Sequence, residues 1–260
     1  MKDKLFNQMI YRIILCCVAG LATLLTFRFF HNVYVDSKDP KWLWVATTEG
    51  LTWEFLKYYT NISNWFVFGV SVVVLNDTVK RVRAGETHGH NRVIPALKFM
   101  TTVMIFVTFL VYNTMLEGFY TLRYWRNLYS LTCHVAAPLL FIFDFFLFDE
   151  HHTVKWYYPL LSLIIPLVYC AYILILGACI KDFKYPYFFL DVNKYGYGIV
   201  MLFILALTAG FTLFAYLFWL YDKLEKVDGK WKIVIKKGGK TADISPQNDV
   251  KITPNQPDKM

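Results

Sequence analysis

Six long apolar segments recur along the chain, separated by polar or charged stretches. They cover roughly residues 9–30, 55–75, 96–116, 131–148, 158–180 and 197–221. Each is long enough, or nearly so, to cross a hydrocarbon core of about 30 Å as an α-helix. Backbone polar groups in lipid must find partners within their own segment, which favours helices over open strands. The pattern therefore predicts an all-α integral membrane bundle of six transmembrane helices over residues 1–221.

The remaining residues, 222–260, form a polar tail. Asp228 and Gly229 precede an alternating stretch at 230–235, and an Asp-Gly pair beside such alternation is typical of a β-hairpin. Beyond Gly239 the tail is rich in Asp, Asn, Pro, Lys and Gln, a composition typical of disorder. We predict a cytoplasmic tail with a short hairpin and a disordered end.

Composition and charge favour the membrane over nucleic acid as the partner. The chain is 57% hydrophobic, with a formal net charge of +8. The basic residues concentrate in loops and in the tail, which holds nine of the 27 Lys and Arg residues. Cytoplasmic ends of membrane helices show this pattern, so we expect both termini in the cytoplasm of a multi-pass cell-membrane protein. Membrane lipids are the expected partners, and protein partners are not indicated.

The first segment and the cysteines add two expectations. No small-residue cleavage site follows the first segment, so we expect it to be retained as a span. Arg12 and Arg28, near its two ends, are expected to extend their charges to the interfaces. The five cysteines lie in or beside apolar segments, and an odd number there does not indicate a disulfide framework.

The second segment carries several polar side chains at membrane depth. These are Thr60, Asn61, Ser63 and Asn64. An unpaired polar group in hydrocarbon costs several kcal/mol, so they should face protein or a wet cavity. Thr60, Ser63 and Asn64 have helical i, i+3, i+4 spacing and share one face. This polar face is the most informative feature of the sequence.

His134, in the fourth segment, is an ionisable residue inside the membrane and hence a functional candidate. With cytoplasmic termini, His134 and Thr60 lie at similar depths below the outer interface and can meet if their helices are neighbours. A histidine base could take the Thr60 proton and let its oxygen attack an acyl carbonyl. The alternatives are a neutral histidine bonded to a helix partner and a threonine bonded to its own i−4 carbonyl. Cys133 is a less favoured nucleophile, since adjacent helical side chains diverge by about 100°.

The remaining candidates have weaker assignments. Asp144 lies ten residues after His134, about 15 Å along a helix, so it is expected to be a structural anchor. Two loop clusters of His and Glu, at 86–90 and 150–152, lack helical ligand spacing, so no metal and no cofactor are expected. The candidate substrate-binding or oxyanion-stabilising residues are Asn61, Ser63, Asn64, Tyr112, Tyr169, Tyr172 and Asp191.

Five short motifs occur in order along the chain. They are Thr60-x-x-Ser63-Asn64, His134 with Pro138 and Asp144, Pro166-Leu-Val-Tyr169-Cys-Ala-Tyr172, Tyr185-Pro186-Tyr187 with Leu190-Asp191, and Gly196-Tyr197-Gly198. Over about residues 10–221, this order resembles a bacterial family of six-span membrane proteins that mostly lack an assigned function. That family is similar to the eukaryotic androgen-induced and androgen-dependent membrane proteins. These are threonine hydrolases that cleave fatty acid esters of hydroxy fatty acids with one Thr and one His.

The resemblance implies a function for the polar face. It implies Thr60 as nucleophile and His134 as base, in a bacterial inner-membrane protein acting on an amphiphilic acyl ester. We therefore expect a membrane-embedded lipid-ester hydrolase whose site opens near the outer leaflet. A non-catalytic lipid or small-molecule binder or transporter, and an acyltransferase on the same fold, are the alternatives.

Overall fold

The computed structural model describes residues 2–37, 56–86, 93–116, 128–227, 230–237 and 240–243. Within these ranges, six helices are long and apolar enough to cross a membrane. They confirm the predicted all-α bundle of six spans. Three earlier predictions fall outside this description. They concern the side chain of Arg28, the loop residues 87–90 and the tail from 244 onward.

We number the six spans α1 to α6, and two of them change helix type along their length. The spans α1 and α2 are Lys2–Ser37 and Tyr59–Ala84, and α3 is Val93–Val111 continued by a π-helical turn at Tyr112–Leu116. The span α4 consists of Leu128–Leu131, a π-helical turn at Thr132–Ala136, and Ala137–Phe148. The span α5 comprises Tyr158–Leu161 and Ile164–Cys179, and α6 is Val192–Asp222.

Local signals explain where two of the helices begin and end. Gly85 closes α2 in the left-handed conformation, with φ 71°, and its N–H bonds back to helix carbonyls, an ending that glycine permits without strain. Asp191 begins α6 by accepting a hydrogen bond from the Lys194 N–H at 3.2 Å, as an N-cap residue does. Gly196, at φ 72° and ψ 160°, interrupts the first turns of α6. The predicted start at residue 197 therefore falls just after this interruption.

The first four spans form the tightly packed part of the bundle. Helix α1 packs against α2 and α4, and α3 packs against both α2 and α4. Their shared core contains Leu15, Val67, Ile105 and Phe141. Half of the apolar window of α3 and of α4 is buried, against 22% for α5 and 17% for α6. Helices α5 and α6 therefore present most of their surface outward, where lipid would lie.

An ion-pair network, not hydrocarbon alone, joins the packed spans. The prediction for Arg12 is wrong: its side chain is only 4% exposed, and its Nε lies 3.0 Å from Asp144 Oδ1. Arg12 also donates to Thr78 Oγ1 at 2.6 Å and to Asp149 Oδ1 at 3.4 Å. A charge buried among helices is stabilised by its partners instead of by the interface.

Lys98 completes this network from α3. Its Nζ contacts the carboxylates of Asp144 and Asp149 and lies 3.3 Å from the Asp144 backbone carbonyl. An ammonium group has three N–H donors, so each finds an acceptor. Asp144 therefore binds cations from α1 and α3 at once, which is a structural role of the kind expected for it.

The tail forms a small antiparallel sheet. Its strands are β1 (Leu224–Val227), β2 (Lys230–Lys237) and β3 (Lys240–Asp243), with β2 in the middle. Val227 pairs with Lys230 across the two residues predicted as the hairpin turn, and these two lie outside the described residues. The strand β3 occupies positions where the composition indicated disorder.

Candidate functional site

A mainly apolar pocket lies among α2, α3, α5 and α6. Its cavity volume is about 60 Å³, inside a wider space of about 610 Å³ that includes the open surroundings. Aliphatic side chains such as Val107, Ile204 and Leu207 form much of its wall. Aromatic side chains form the rest, namely Tyr59, Tyr112, Tyr169, Tyr187, Phe189 and Phe211. An apolar wall with a few hydroxyl groups suits a ligand that is mostly hydrocarbon.

Thr60 lines this pocket from the first turn of α2. The preceding Tyr58 is extended, so the helix begins at Tyr59 and Thr60 is its second residue. Other membrane threonines, such as Thr102 and Thr208, donate to the carbonyl four residues earlier. Within the described part of the chain Thr60 makes no such bond, because its position precedes the first complete turn of α2. The alternative interpretation, in which the Thr60 hydroxyl is bonded to the carbonyl four residues earlier, therefore does not apply.

Tyr187 is the polar neighbour of Thr60. The nearby Thr60 side chain and the backbone of Tyr59 and Thr60 act to lower the pKa of its hydroxyl. Burial raises the pKa of Tyr187 to about 12, so the phenol stays protonated at neutral pH and can donate a hydrogen bond. Sequence reasoning noted Tyr187 only within a motif. The aromatic loop sequence gave no sign that this ring returns to the start of α2.

His134 lies in the π-helical turn of α4 and is 3% exposed. Its ring stacks on Tyr112, with centroids 3.3 Å apart and an interplanar angle of 9°. Its Nδ1 lies 3.1 Å from the Ser130 carbonyl oxygen. A carbonyl can only accept, so Nδ1 carries the hydrogen and Nε2 carries the lone pair. This is the tautomer that a general base needs.

The structure brings the helices of Thr60 and His134 together. The Asn64 amide donates to the Thr60 carbonyl at 2.9 Å and to the Cys133 carbonyl at 3.0 Å, so α2 and α4 are neighbours at this level. Tyr112 lines the pocket with Thr60 and stacks on His134. Within the described residues, no hydrogen bond joins the Thr60 hydroxyl to the imidazole. Tyr112 is thus the element that both residues share.

Several other candidates make contacts that hold the helices together. Ser63 Oγ lies 2.7 Å from Thr108 Oγ1 and donates to the Thr60 carbonyl at 3.0 Å. Tyr169 donates to the Lys57 carbonyl at 2.7 Å. Asp191 caps α6 by accepting a hydrogen bond from the Lys194 N–H, which gives its carboxylate a structural role. Asn61 is fully buried and Tyr172 half-buried, with other interactions of their own.

Cys133 and Asp144 lie outside the lining of this pocket. Cys133 Sγ approaches the Ala22 carbonyl of α1 at 3.4 Å and Thr26 Oγ1 at 3.8 Å, so its thiol faces α1. Asp144 binds Arg12 and Lys98. Over the described ranges, no group of three or more His, Cys, Asp or Glu side chains is arranged to hold a metal ion.

Three comparisons with known proteins found no match. The chain matches no protein-family model, no curated protein and no solved structure. The chemistry of the pocket is therefore argued from its own residues.

Proposed function

We propose that this protein is a membrane-embedded lipid-ester hydrolase in which Thr60 is the nucleophile and His134 the general base. One observation carries the proposal. A threonine hydroxyl that its own helix does not occupy lines an apolar pocket, and the pocket wall at Tyr112 stacks on a histidine. The resemblance to the bacterial six-span family, and through it to the threonine hydrolases, supports the same pair of residues.

The pocket suits an amphiphilic ester. Its hydrocarbon wall would hold an acyl chain, while the few hydroxyl groups near Thr60 would meet the ester. Leu167, which lines the pocket, is 41% exposed on the outward face of α5. A lipid could therefore enter sideways between the loosely packed α5 and α6. With cytoplasmic termini, the Thr60 end of the pocket faces the outer leaflet.

The proposed reaction has two halves. Thr60 Oγ1 bonds to the carbonyl carbon while its proton passes to His134 Nε2. The tetrahedral intermediate then breaks its bond to the ester oxygen, and the alcohol leaves with the proton from His134. Water, deprotonated by His134, next attacks the acyl-threonine. The bond between the acyl carbon and Thr60 Oγ1 breaks, Oγ1 takes the proton back from His134, and the carboxylic acid is released. Proton transfer needs Nε2 within about 3 Å of the hydroxyl or one water away, and such contacts often tighten only around bound substrate.

A second candidate function is binding or transport of a lipid without covalent chemistry. The observation that favours it is the absence of a hydrogen bond between Thr60 and His134 among the described residues. An acyltransferase would keep Thr60 as nucleophile and replace water by another lipid acceptor.

Labelling with an alkyl fluorophosphonate separates the hydrolase from the binder. We expect the purified protein to be labelled at Thr60, as identified by mass spectrometry of the modified peptide. Thr60→Val keeps the side-chain shape and removes the hydroxyl, so labelling should be lost. Thr212→Val is the matched control, since the Thr212 hydroxyl donates to the Thr208 carbonyl of its own helix and lies outside the pocket lining.

The outcomes have distinct meanings. Label on Thr60 in the wild type and in Thr212→Val, with none in Thr60→Val, supports the nucleophile. A folded wild-type protein that takes no label and releases no acid from a lipid ester would favour the binder.

A further inference from the structure

Tyr59 has a hydroxyl group for which the described part of the chain offers no partner. The side chain is 7% exposed and lines the pocket beside Thr60, yet its hydroxyl makes no hydrogen bond to any residue that the structure describes. A buried polar group left unpaired costs about 1–3 kcal/mol. Native proteins keep few such groups, and each calls for an explanation.

The surroundings of Tyr59 show that packing holds this hydroxyl in place. The ring contacts Tyr169, with centroids 5.3 Å apart, and belongs to the same buried cluster as Ile173 and Tyr187. Tyr169, on the same pocket wall, does have an acceptor, the Lys57 carbonyl at 2.7 Å. Of these two tilted phenols, Tyr59 alone has a donor without an acceptor among the described residues.

Tyr59 and Thr60 also begin a long helix. The start of α2 has no side-chain cap, and the first helical bonds are made by the N–H groups of Asn61 and Ile62 to the Tyr58 carbonyl. The N–H groups of Tyr59 and Thr60 therefore have no helical acceptor, and they face the Tyr187 hydroxyl. The start of a helix favours negative charge, through these N–H groups and the helix dipole.

We propose that the Tyr59 phenol, beside the start of α2, forms the oxyanion hole for the ester carbonyl attacked by Thr60. This inference rests on the proposed function and adds Tyr59 as a catalytic residue. When Thr60 Oγ1 bonds to the carbonyl carbon, the π electron pair of the C=O bond moves onto its oxygen. The Tyr59 O–H donates to that oxygen and keeps its proton throughout.

This arrangement has the property that makes such donors effective. The phenol is already fixed by packing and already free of other acceptors, so no bond must be broken before it stabilises the developing charge. The packing that leaves the Tyr59 hydroxyl without an acceptor among the described residues would also keep it available to the substrate oxygen.

The test is Tyr59→Phe, which removes one oxygen and keeps the ring. With para-nitrophenyl octanoate as substrate and the full-length protein in detergent, we expect kcat to fall about 100- to 1,000-fold, as on removal of one oxyanion-hole donor. KM should change little, because the bond is made only in the transition state. The Tm should stay equal or rise, since the lost hydroxyl had no partner.

Two matched variants remove hydroxyls that do have partners. Tyr169→Phe breaks the bond to Lys57 on the same wall and should lower the Tm. Tyr221→Phe breaks the 2.7 Å bond to the Phe146 carbonyl, outside the pocket, and should leave kcat unchanged.

Each result decides something. Lower kcat with an unchanged or higher Tm in Tyr59→Phe supports the oxyanion hole. Equal kcat in Tyr59→Phe and wild type overturns it while leaving the hydrolase standing. Lower kcat together with a lower Tm assigns Tyr59 a structural role and also overturns it. A wild-type protein that hydrolyses neither this ester nor a lipid ester overturns both proposals.

Discussion

Asp144→Asn is expected to lower the free energy of unfolding by about 3–5 kcal/mol, the usual cost of removing one member of a buried ion pair. Asp144 is fully buried and binds Arg12 of α1 and Lys98 of α3. The amide would leave two buried cations with Asp149 as their remaining carboxylate partner. The measurement is denaturant-induced unfolding in detergent, followed by tryptophan fluorescence.

Asp77→Asn provides the matched control for this prediction. Asp77 pairs with Arg81 one turn along the same helix, at 3.1 Å, and both side chains keep some contact with solvent. Pairs of this kind contribute about 0.3–0.5 kcal/mol. Similar small losses in the two variants would contradict the view that the Asp144 network holds the spans together.

His134→Phe is expected to reduce hydrolysis of a lipid ester by about 100- to 10,000-fold, the range of a lost general base. Phenylalanine keeps a flat ring against Tyr112 and removes both nitrogens. The hydrogen bond to Ser130 is lost as well, which costs about 1 kcal/mol, so the variant should still fold. The measurement is kcat and KM for the ester, corrected for the folded fraction.

His151→Phe is the control for removing a histidine. His151 lies in the exposed turn after α4, where its Nδ1 faces the Tyr221 carbonyl at 3.2 Å. Hydrolysis should not change in this variant. If His134→Phe were as active as His151→Phe, the base would have to be another group and Thr60 would need a different activator.

Hydropathy alone predicted the spans because each helix that crosses a membrane needs a long run of apolar residues. The same reasoning located Thr60, Asn64 and His134, since polar groups at membrane depth stand out against hydrocarbon. The contact of α2 with α4 through Asn64 could not be predicted from hydropathy, because which helices are neighbours depends on how they pack. Thr60 and His134, at similar predicted depths, can meet only if α2 and α4 are neighbours, and in the structure these helices are neighbours.

The sequence misled at Arg12 because its position near a helix end fits two outcomes equally well. An arginine there can reach the interface or a buried carboxylate, and only the location of Asp144 on another helix decides between them. Tyr59 and Tyr187 were missed for a different reason. In a chain with 18 Tyr and 23 Phe residues, one more ring is no signal, and an unpaired hydroxyl becomes visible only after packing.

The π-helical turns give the stacked pair of rings a way to change direction. Tyr112 and His134 both lie in such turns, which hold an extra residue compared with an α turn and occur often at functional sites. Rewinding one of them to α geometry would rotate the residues on one side by about 100° around the axis. The direction of the imidazole therefore depends on the π turn of α4, because losing that turn would rotate one part of the helix against the other.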